Sequence, residues 1–121
     1  GLVRVCPGGT HLVVGAGPRL WLLPDAPVNF VRPSADRLFE SLARTCGRHA
    51  VAVVLSGNGN DGAIGVQAIK AAGGTVIVED ETTAQFRGMP QAAIRSGAAD
   101  LVLPVDATPR ALNGLIRRDD R

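Results

Sequence analysis

One short string carries the residues of this chain that are best suited to chemistry. Ser56-Gly-Asn-Gly-Asn-Asp61-Gly62 combines glycines with a single carboxylate. It follows the apolar run 51–55 and precedes residues 63–72, whose composition is typical of a helix. In an open α/β sheet, sites are built outside the carboxyl ends of the strands, where such a loop would lie. The string therefore predicts either a phosphate-binding loop or a loop that holds a catalytic carboxylate in place.

The phosphate interpretation depends on glycine spacing. Gly57-x-Gly59-x-x-Gly62 matches the fingerprint of dinucleotide-binding loops. Glu79 and Asp80 follow roughly 20 residues later, where a ribose-binding acid would be expected. Asp61 argues against this interpretation, because a carboxylate at the start of the helix would occupy the positive helix end that a pyrophosphate needs. A dinucleotide-binding domain stays open as an alternative.

The carboxylate interpretation depends on Asp61 itself. A carboxylate held by backbone donors of a rigid loop stays ionised. It can then accept a bond from a histidine Nδ1–H and stabilise the imidazolium that forms when a serine is deprotonated. The backbone amides of Asn58 and Gly59 would lie at the same rim and could bind an oxyanion. Aspartate is also a preferred helix cap, and on residue types alone capping is the simpler interpretation.

The elements that would position this loop follow from apolar runs and turn residues. From residue 34 onward, predicted helices and strands alternate with short connections, which is typical of parallel strands joined by right-handed crossovers. We therefore predict an α/β fold with a doubly wound, mostly parallel sheet and an N-terminal β-hairpin. The predicted strands are 2–6, 11–14, 19–23, 51–55, 75–78 and 100–103, and the predicted helices are 34–47 (N-cap Ser34), 62–72, 91–96 and 110–117 (N-cap Thr108).

Composition limits the classes of function. The 121 residues suit one domain, and the scarcity of aromatics, at 3%, predicts an aliphatic core of the kind found in parallel sheets. The net charge of +2 is scattered and speaks against a nucleic-acid surface. No apolar run is long enough to insert into a membrane. Isolated His11 and His49 predict no metal site, and the widely separated Cys6 and Cys46 suggest reduced thiols in the cytoplasm.

Several strings occur together in the order typical of one family. With them, the chain resembles the catalytic domain of the CheB family, the chemotaxis protein-glutamate methylesterases. The resemblance covers nearly the whole chain. The strings are Pro7–His11, Arg32–Phe39, Ser56–Ala63, Ala71–Thr75, Glu79–Glu81, Gly88–Pro90 with Ala92-Ala93, and Gly97–Pro104.

This resemblance implies a Rossmann-like doubly wound domain that hydrolyses glutamyl methyl esters of chemoreceptors with a Ser-His-Asp triad. It implies neither metal nor cofactor. The implied partners are a methylated chemoreceptor or another methyl-ester protein and an upstream receiver domain, with no nucleic acid. The implied site residues are the triad aspartate Asp61, the oxyanion and cleft residues Gly57, Asn58 and Gly59, and the substrate-loop residues Gly88, Met89 and Pro90.

The chain also departs from the family pattern. Asn58 stands where the family usually has methionine, and Arg87 stands where an aromatic commonly precedes the Gly-Met-Pro string. The motif of the family's serine and histidine lies upstream in that family and does not occur here. We therefore expect residues 1–121 to be the C-terminal portion of a methylesterase domain, nearly inactive alone and prone to self-association through uncovered sheet edges. The alternative is a non-catalytic binding module on the same scaffold.

Overall fold

The computed structural model describes residues 1–119. It has the predicted α/β architecture, with a parallel sheet and a separate N-terminal hairpin. The strands are β1 His11–Gly15, β2 Arg19–Leu23, β3 Val51–Val54, β4 Thr75–Glu79 and β5 Leu101–Leu103; the helices are α1 Ala35–Cys46, α2 Ala63–Ala71, α3 Gly88–Arg95 and α4 Thr108–Asp119; two 3-10 turns span Gly47–His49 and Val105–Ala107.

The parallel sheet has the order β3-β4-β5, so β4 lies in its centre. Val53 of β3 and Leu101 of β5 flank Ile77 of β4. Val76, Ile77 and Val78 have no exposed surface. Their unbroken apolar run is the pattern expected of a parallel strand that is covered on both faces.

The core lies between this sheet and the helices. Val76 and Val78 belong to one buried cluster with Ile69 of α2, Ala93 of α3 and Phe39 of α1. A side chain at residue 65 is excluded there, because a Cβ on Gly65 would lie 2.7 Å from the Cβ of Phe39. Glycine at this position therefore allows α1 and α2 to pack closely just beyond the loop that carries Asp61.

The hairpin packs on the outer side of α1 through β1. The Val14 amide donates to Ser41 Oγ at 2.9 Å, and Thr45 Oγ1 donates to the Val14 carbonyl at 3.1 Å. β2 pairs antiparallel with β1. Four of the five residues of β2 are exposed.

Three sequence predictions need correction. The strand predicted at residues 2–6 is absent: this segment has no regular structure, and Leu2 and Val3 are 82% and 91% exposed. An apolar run forms a strand only where its backbone groups can hydrogen-bond to a neighbouring strand. The sequence of the run does not show whether such a neighbour is present. Helix α3 begins at Gly88 rather than at residue 91. Thr108 is the first residue of α4 rather than its N-cap, because the 3-10 turn Val105–Ala107 leads directly into the helix.

Among residues 1–119, no helix is both long and apolar enough to cross a membrane.

Candidate active site

The carboxylate of Asp61 lies at the N-terminus of α1. Oδ1 accepts from Ser34 Oγ at 3.0 Å and from the Asp36 amide at 3.1 Å, and Oδ2 accepts from the Ala35 amide at 2.7 Å. The donors come from a different helix than the one that Asp61 precedes. The Asp61 carboxylate thus adds to the cap of α1, whose N-cap residue is Ser34, while Gly62, at φ 98°, is the N-cap residue of α2 and has no side chain to cap it. The negative carboxylate faces the positive end of the α1 dipole.

The Asp61 carboxylate can accept one further hydrogen bond. A carboxylate offers about four acceptor positions on its two oxygens. Three are filled, two on Oδ1 and one on Oδ2, so Oδ2 retains a position that no described residue uses. That position is suited to a histidine Nδ1–H.

An open cleft lies beside this carboxylate. Its volume is about 290 Å³, and apart from Asp61 its walls are mainly apolar. Residues from the N-terminal segment, the hairpin and α1 converge on it. The lining residues are Cys6, Leu12, Pro33, Ser34, Ala35, Leu38 and Asp61.

A second carboxylate makes the reciprocal contact. Asp36 Oδ1 accepts from the amides of Gly62, at 3.0 Å, and Gly65, at 2.7 Å, and so caps α2. Asp36 is 4% exposed. Sequence analysis did not single it out, although an acid in the first turn of a helix, two residues after an N-cap serine, is a visible signal.

The glycine loop is hydrogen-bonded to residues 86–90, which lead into the first turn of α3 and are called the Gly-Met-Pro loop below. The Gly57 amide donates to the Phe86 carbonyl at 2.9 Å, and the Met89 amide donates to the Gly57 carbonyl at 2.8 Å. The Phe86 amide donates to Ser56 Oγ at 2.8 Å. Glu79, 4% exposed, accepts from the Ser56 amide at 2.8 Å and so ties the start of the glycine loop to the end of β4.

Close packing keeps these loops together. A Cβ on Gly88 would lie 2.8 Å from the carbonyl oxygen of Gly59, and one on Gly57 would lie 2.5 Å from Met89 Sδ. Met89 packs against the hydrophobic core, and Pro90 is fully buried. The sequence-predicted residues 57–59 and 88–90 therefore form one rim, while the cleft beside Asp61 is lined by other residues.

The glycine loop does not offer a pyrophosphate its full set of amides. Gly57 and Gly62, the outer glycines of the dinucleotide spacing, donate their amides within the protein, to Phe86 and Asp36. The exposed Asn58 and Gly59 are different, because no described residue accepts a hydrogen bond from their amides. A ligand at the rim could therefore accept hydrogen bonds from these two amides.

No serine and histidine of the described residues form a catalytic pair. Ser34 is 2% exposed and donates to Asp61 itself. His11 is fully buried: Nδ1 accepts from the Ser34 amide at 3.2 Å, and Nε2 lies 2.9 Å from the Ala26 carbonyl, which assigns the ring hydrogen to Nε2. His49 lies before β3, at the end opposite the glycine loop. The remaining serine hydroxyls bond the backbone, at Ser41, Ser56 and Ser96.

Two carboxyls with displaced pKa values lie outside this cleft. The pKa of Asp80 is lowered by hydrogen bonds from the amide and the side chain of Thr82. Burial alone would raise the pKa of Asp100, but bonds from the Lys70 ammonium and the Val76 amide outweigh it and lower that pKa. Within residues 1–119, no three His, Cys, Asp or Glu side chains cluster as metal ligands would.

Comparison with protein families gives a match over most of the chain. The family model described as CheB methylesterase matches residues 1–112. A crystal structure of the Thermotoga maritima CheB methylesterase catalytic domain superposes with a TM-score of 0.87 at 38% sequence identity. The alignment covers 90% of this chain and 59% of that one.

Curated relatives agree with this match. A "protein-glutamate methylesterase/protein-glutamine glutaminase 2" of Anaeromyxobacter dehalogenans is 49% identical over 118 residues, which cover 97% of this chain and 34% of the relative. A protein-glutamate methylesterase/protein-glutamine glutaminase of Clostridium acetobutylicum is 41% identical over 117 residues, again 97% and 34%. The chain therefore spans about a third of the length of these relatives.

Proposed function

The chain belongs to the CheB methylesterase family, and on this premise we propose that it provides the aspartate-bearing part of an active site that hydrolyses glutamyl methyl esters of chemoreceptors. The names of its relatives add the deamidation of protein glutamine, which is the same acyl transfer with an amine as leaving group. One observation carries the proposal. The Asp61 carboxylate is fixed by three donors and retains an acceptor position on Oδ2 beside an open cleft.

In the proposed mechanism, Asp61 accepts a hydrogen bond from the Nδ1–H of a histidine and stabilises the imidazolium. The histidine takes the proton of a serine hydroxyl as the serine oxygen attacks the ester carbonyl. It then protonates the leaving group, so that methanol departs from an ester, or ammonia from an amide. A water molecule hydrolyses the acyl-serine in the same way and releases the glutamate carboxylate.

We further propose that the serine and the histidine come from protein outside residues 1–121. The described serines and His11 are already committed to other bonds, and the cleft beside Asp61 is open to accept further side chains. In this proposal residues 1–121 are the C-terminal portion of the methylesterase domain. A receiver domain and a methylated chemoreceptor are the proposed partners, in the cytoplasm, where the free thiols of Cys6 and Cys46 would be stable.

The two loops of the rim have separate proposed roles. The amides of Asn58 and Gly59 bind the oxyanion, which is supported by their exposure and by the lack of acceptors among the described residues. Gly88, Met89 and Pro90 are the proposed substrate-loop residues at this rim, since the packing of Gly88 and Met89 against Gly59 and Gly57 sets where those amides lie.

The decisive experiment is Asp61→Asn in the full-length protein, with methanol release from a methylated receptor as the assay. We expect kcat to fall by about 10⁴-fold, because an asparagine would hold the histidine in the wrong tautomer. Asp100→Asn is the matched control, since Asp100 also accepts a hydrogen bond from a backbone amide, that of Val76, but it directly precedes β5, whereas the glycine loop follows the other end of β3. A folded Asp61→Asn protein with at least a tenth of normal activity would contradict the proposal.

A second experiment locates the nucleophile. The 121-residue chain and the full-length protein are treated with a fluorophosphonate, and their intact masses are measured. We expect one stoichiometric adduct on the full-length protein and none on the chain. An adduct on the chain would place a working serine within it, and no adduct on either would favour a non-catalytic module.

A further inference from the structure

Asp36 and Asp61 are linked in both directions. The Asp36 amide donates to Asp61 Oδ1 at 3.1 Å, and Asp36 Oδ1 accepts from the amide of Gly62 at 3.0 Å. Gly62 directly follows Asp61, so these two hydrogen bonds close a ring that contains both residues. We propose that Asp36 is the positioning residue that fixes the Asp61 carboxylate for catalysis, an inference that rests on the function proposed above.

The ring restrains both the main chain and the side chain of Asp61, which together determine the orientation of its carboxylate. The bond to Gly62 fixes the peptide group that follows Asp61, and the bond from the Asp36 amide fixes one of its carboxylate oxygens. A second bond, from the Gly65 amide at 2.7 Å, holds the first turn of α2 to the same Asp36 oxygen. Main chain and side chain of Asp61 are thereby tied to one residue of α1.

The surrounding packing makes this link stiff. Asp36 is 4% exposed and lies in the contact between α1 and α2. A Cβ on Gly65 would be 3.0 Å from the Asp36 Cα and 2.7 Å from the Phe39 Cβ. With so little space, a change in the Asp36 side chain is transmitted to the start of α2 and to Asp61.

The surroundings of Asp36 and Asp61 also reduce the repulsion between the two carboxylates. Each carboxylate is bound to amides at the N-terminus of the other's helix: Asp61 to those of α1, Asp36 to those of α2. Each therefore faces the positive end of a helix dipole, which offsets the repulsion between the two acids. The amides at the two helix N-termini thus allow the buried Asp36 carboxylate to lie beside that of Asp61 without a metal ion or a cationic side chain between them.

The expected consequence is a loss of turnover rather than of substrate binding. A displacement of about 1 Å in a catalytic group lowers the rate by about 100-fold. Asp36→Ala removes the acceptor of both amides, so we expect kcat in the full-length protein to fall by about 10- to 100-fold with KM nearly unchanged. Asp36→Asn is the conservative variant: both amides use the single oxygen Oδ1, which asparagine retains, and we expect activity to return to within about threefold of the original.

A core variant separates the positioning role of Asp36 from a general loss of stability. Ile69→Val removes one methyl group from the same core and should lower the midpoint of urea unfolding, without replacing either carboxylate. All variants are assayed at a temperature at which each is folded by circular dichroism. If Asp36→Ala does not fold, Asp36→Ser replaces it, since its shorter hydroxyl can reach one amide at most.

The outcomes are distinct. A loss of kcat in Asp36→Ala or Asp36→Ser, recovered in Asp36→Asn and absent in Ile69→Val, supports the inference. Normal kcat in a folded Asp36→Ala or Asp36→Ser protein overturns it and leaves Asp36 as a structural cap only. Failure of the proposed function is detected separately, because Asp61→Asn would then keep its activity whatever Asp36 does.

Discussion

Two strands of similar apolar composition have opposite surroundings. In β4, Val76, Ile77 and Val78 have no exposed surface. In β2, the side chains of Leu20 and Trp21 are 46% and 54% exposed. β4 lies between two strands with helices packed on it, whereas within residues 1–119 β2 pairs with β1 alone. Burial in this protein therefore depends on which elements surround a strand, since hydrophobic composition is similar in both.

The exposed region is continuous and ends at the candidate active site. An open groove of about 740 Å³ is lined by Leu2, Val5, Leu12, Leu20 and Leu22, among others. Leu12 also lines the cleft beside Asp61. Asp61 thus lies at the boundary between a tightly packed region and an uncovered apolar one, and the segment proposed to carry the serine and the histidine would pack at this boundary.

The largest expected difference between the two regions is in the cost of truncating a side chain. Ile77→Ala in β4 should lower the free energy of unfolding by about 2–5 kcal/mol, because it leaves a cavity in a fully buried site. Leu20→Ala in β2 should change it by about 0.5 kcal/mol or less. Urea unfolding of both variants measures the contrast. Equal losses would mean that β2 is covered in solution.

A smaller effect is expected where the two loops of the rim meet. Gly88→Ala places a Cβ 2.8 Å from the backbone of Gly59, which cannot move aside easily, and should destabilise the protein by about 1–3 kcal/mol. Gly57→Ala meets the far end of the flexible Met89 side chain and should be milder. The same unfolding assay ranks the pair. If Gly57→Ala proved the more harmful, the loops would be held by Met89 rather than by backbone contact.

The exposed region itself predicts self-association. Trp21 is the only tryptophan, so its fluorescence reports on β2 directly. We expect sedimentation of the protein to show concentration-dependent assembly, with a blue shift of this emission. Leu22→Lys should reduce the assembly while changing stability by about 0.5 kcal/mol or less, since Leu22 is already 51% exposed. A monodisperse, thermally stable monomer at high concentration would contradict this prediction.

Sequence reasoning predicted those elements whose signals are local. The hairpin, the helix capped by Ser34 and the alternating strands and helices from β3 to β5 follow from turn residues, caps and apolar runs, and the structure confirms them. The strand predicted at residues 2–6 failed because a strand also needs a neighbour, and the pattern of one segment does not show whether a neighbour is present.

The hydrogen bonds that hold the site together could not be predicted from the sequence, because they join residues that are far apart in the chain. Asp61 was expected either to cap the helix that follows it or to act in catalysis, but its carboxylate binds the amides at the start of α1, 26 residues earlier in the chain. Asp36 and Glu79 were missed as loop anchors for the same reason, since their partners are 26 and 23 residues away. The packing of α1 against α2, through Gly65 and Phe39, brings Asp36 to Asp61, and the pairing of β3 with β4 brings Glu79 to Ser56.

The smallest expected effect concerns a contact at the surface of the packed region. The pKa of Asp100 is lowered, because the Lys70 ammonium and the Val76 amide outweigh the effect of burial. Its ionised form therefore stabilises the folded protein above the ordinary pKa of 3.8, and this contribution is lost as the pH falls through the lower folded-state pKa. Asp100→Asn should cost about 0.5–1 kcal/mol at pH 7, where the ion pair is partly exposed to solvent and screened by salt. Unfolding measured at pH 7 and again well below pH 3.8 should show the difference from the original protein disappearing at the lower pH. A difference that persists there would show that the asparagine acts through packing at this site and that the charge of Asp100 contributes little.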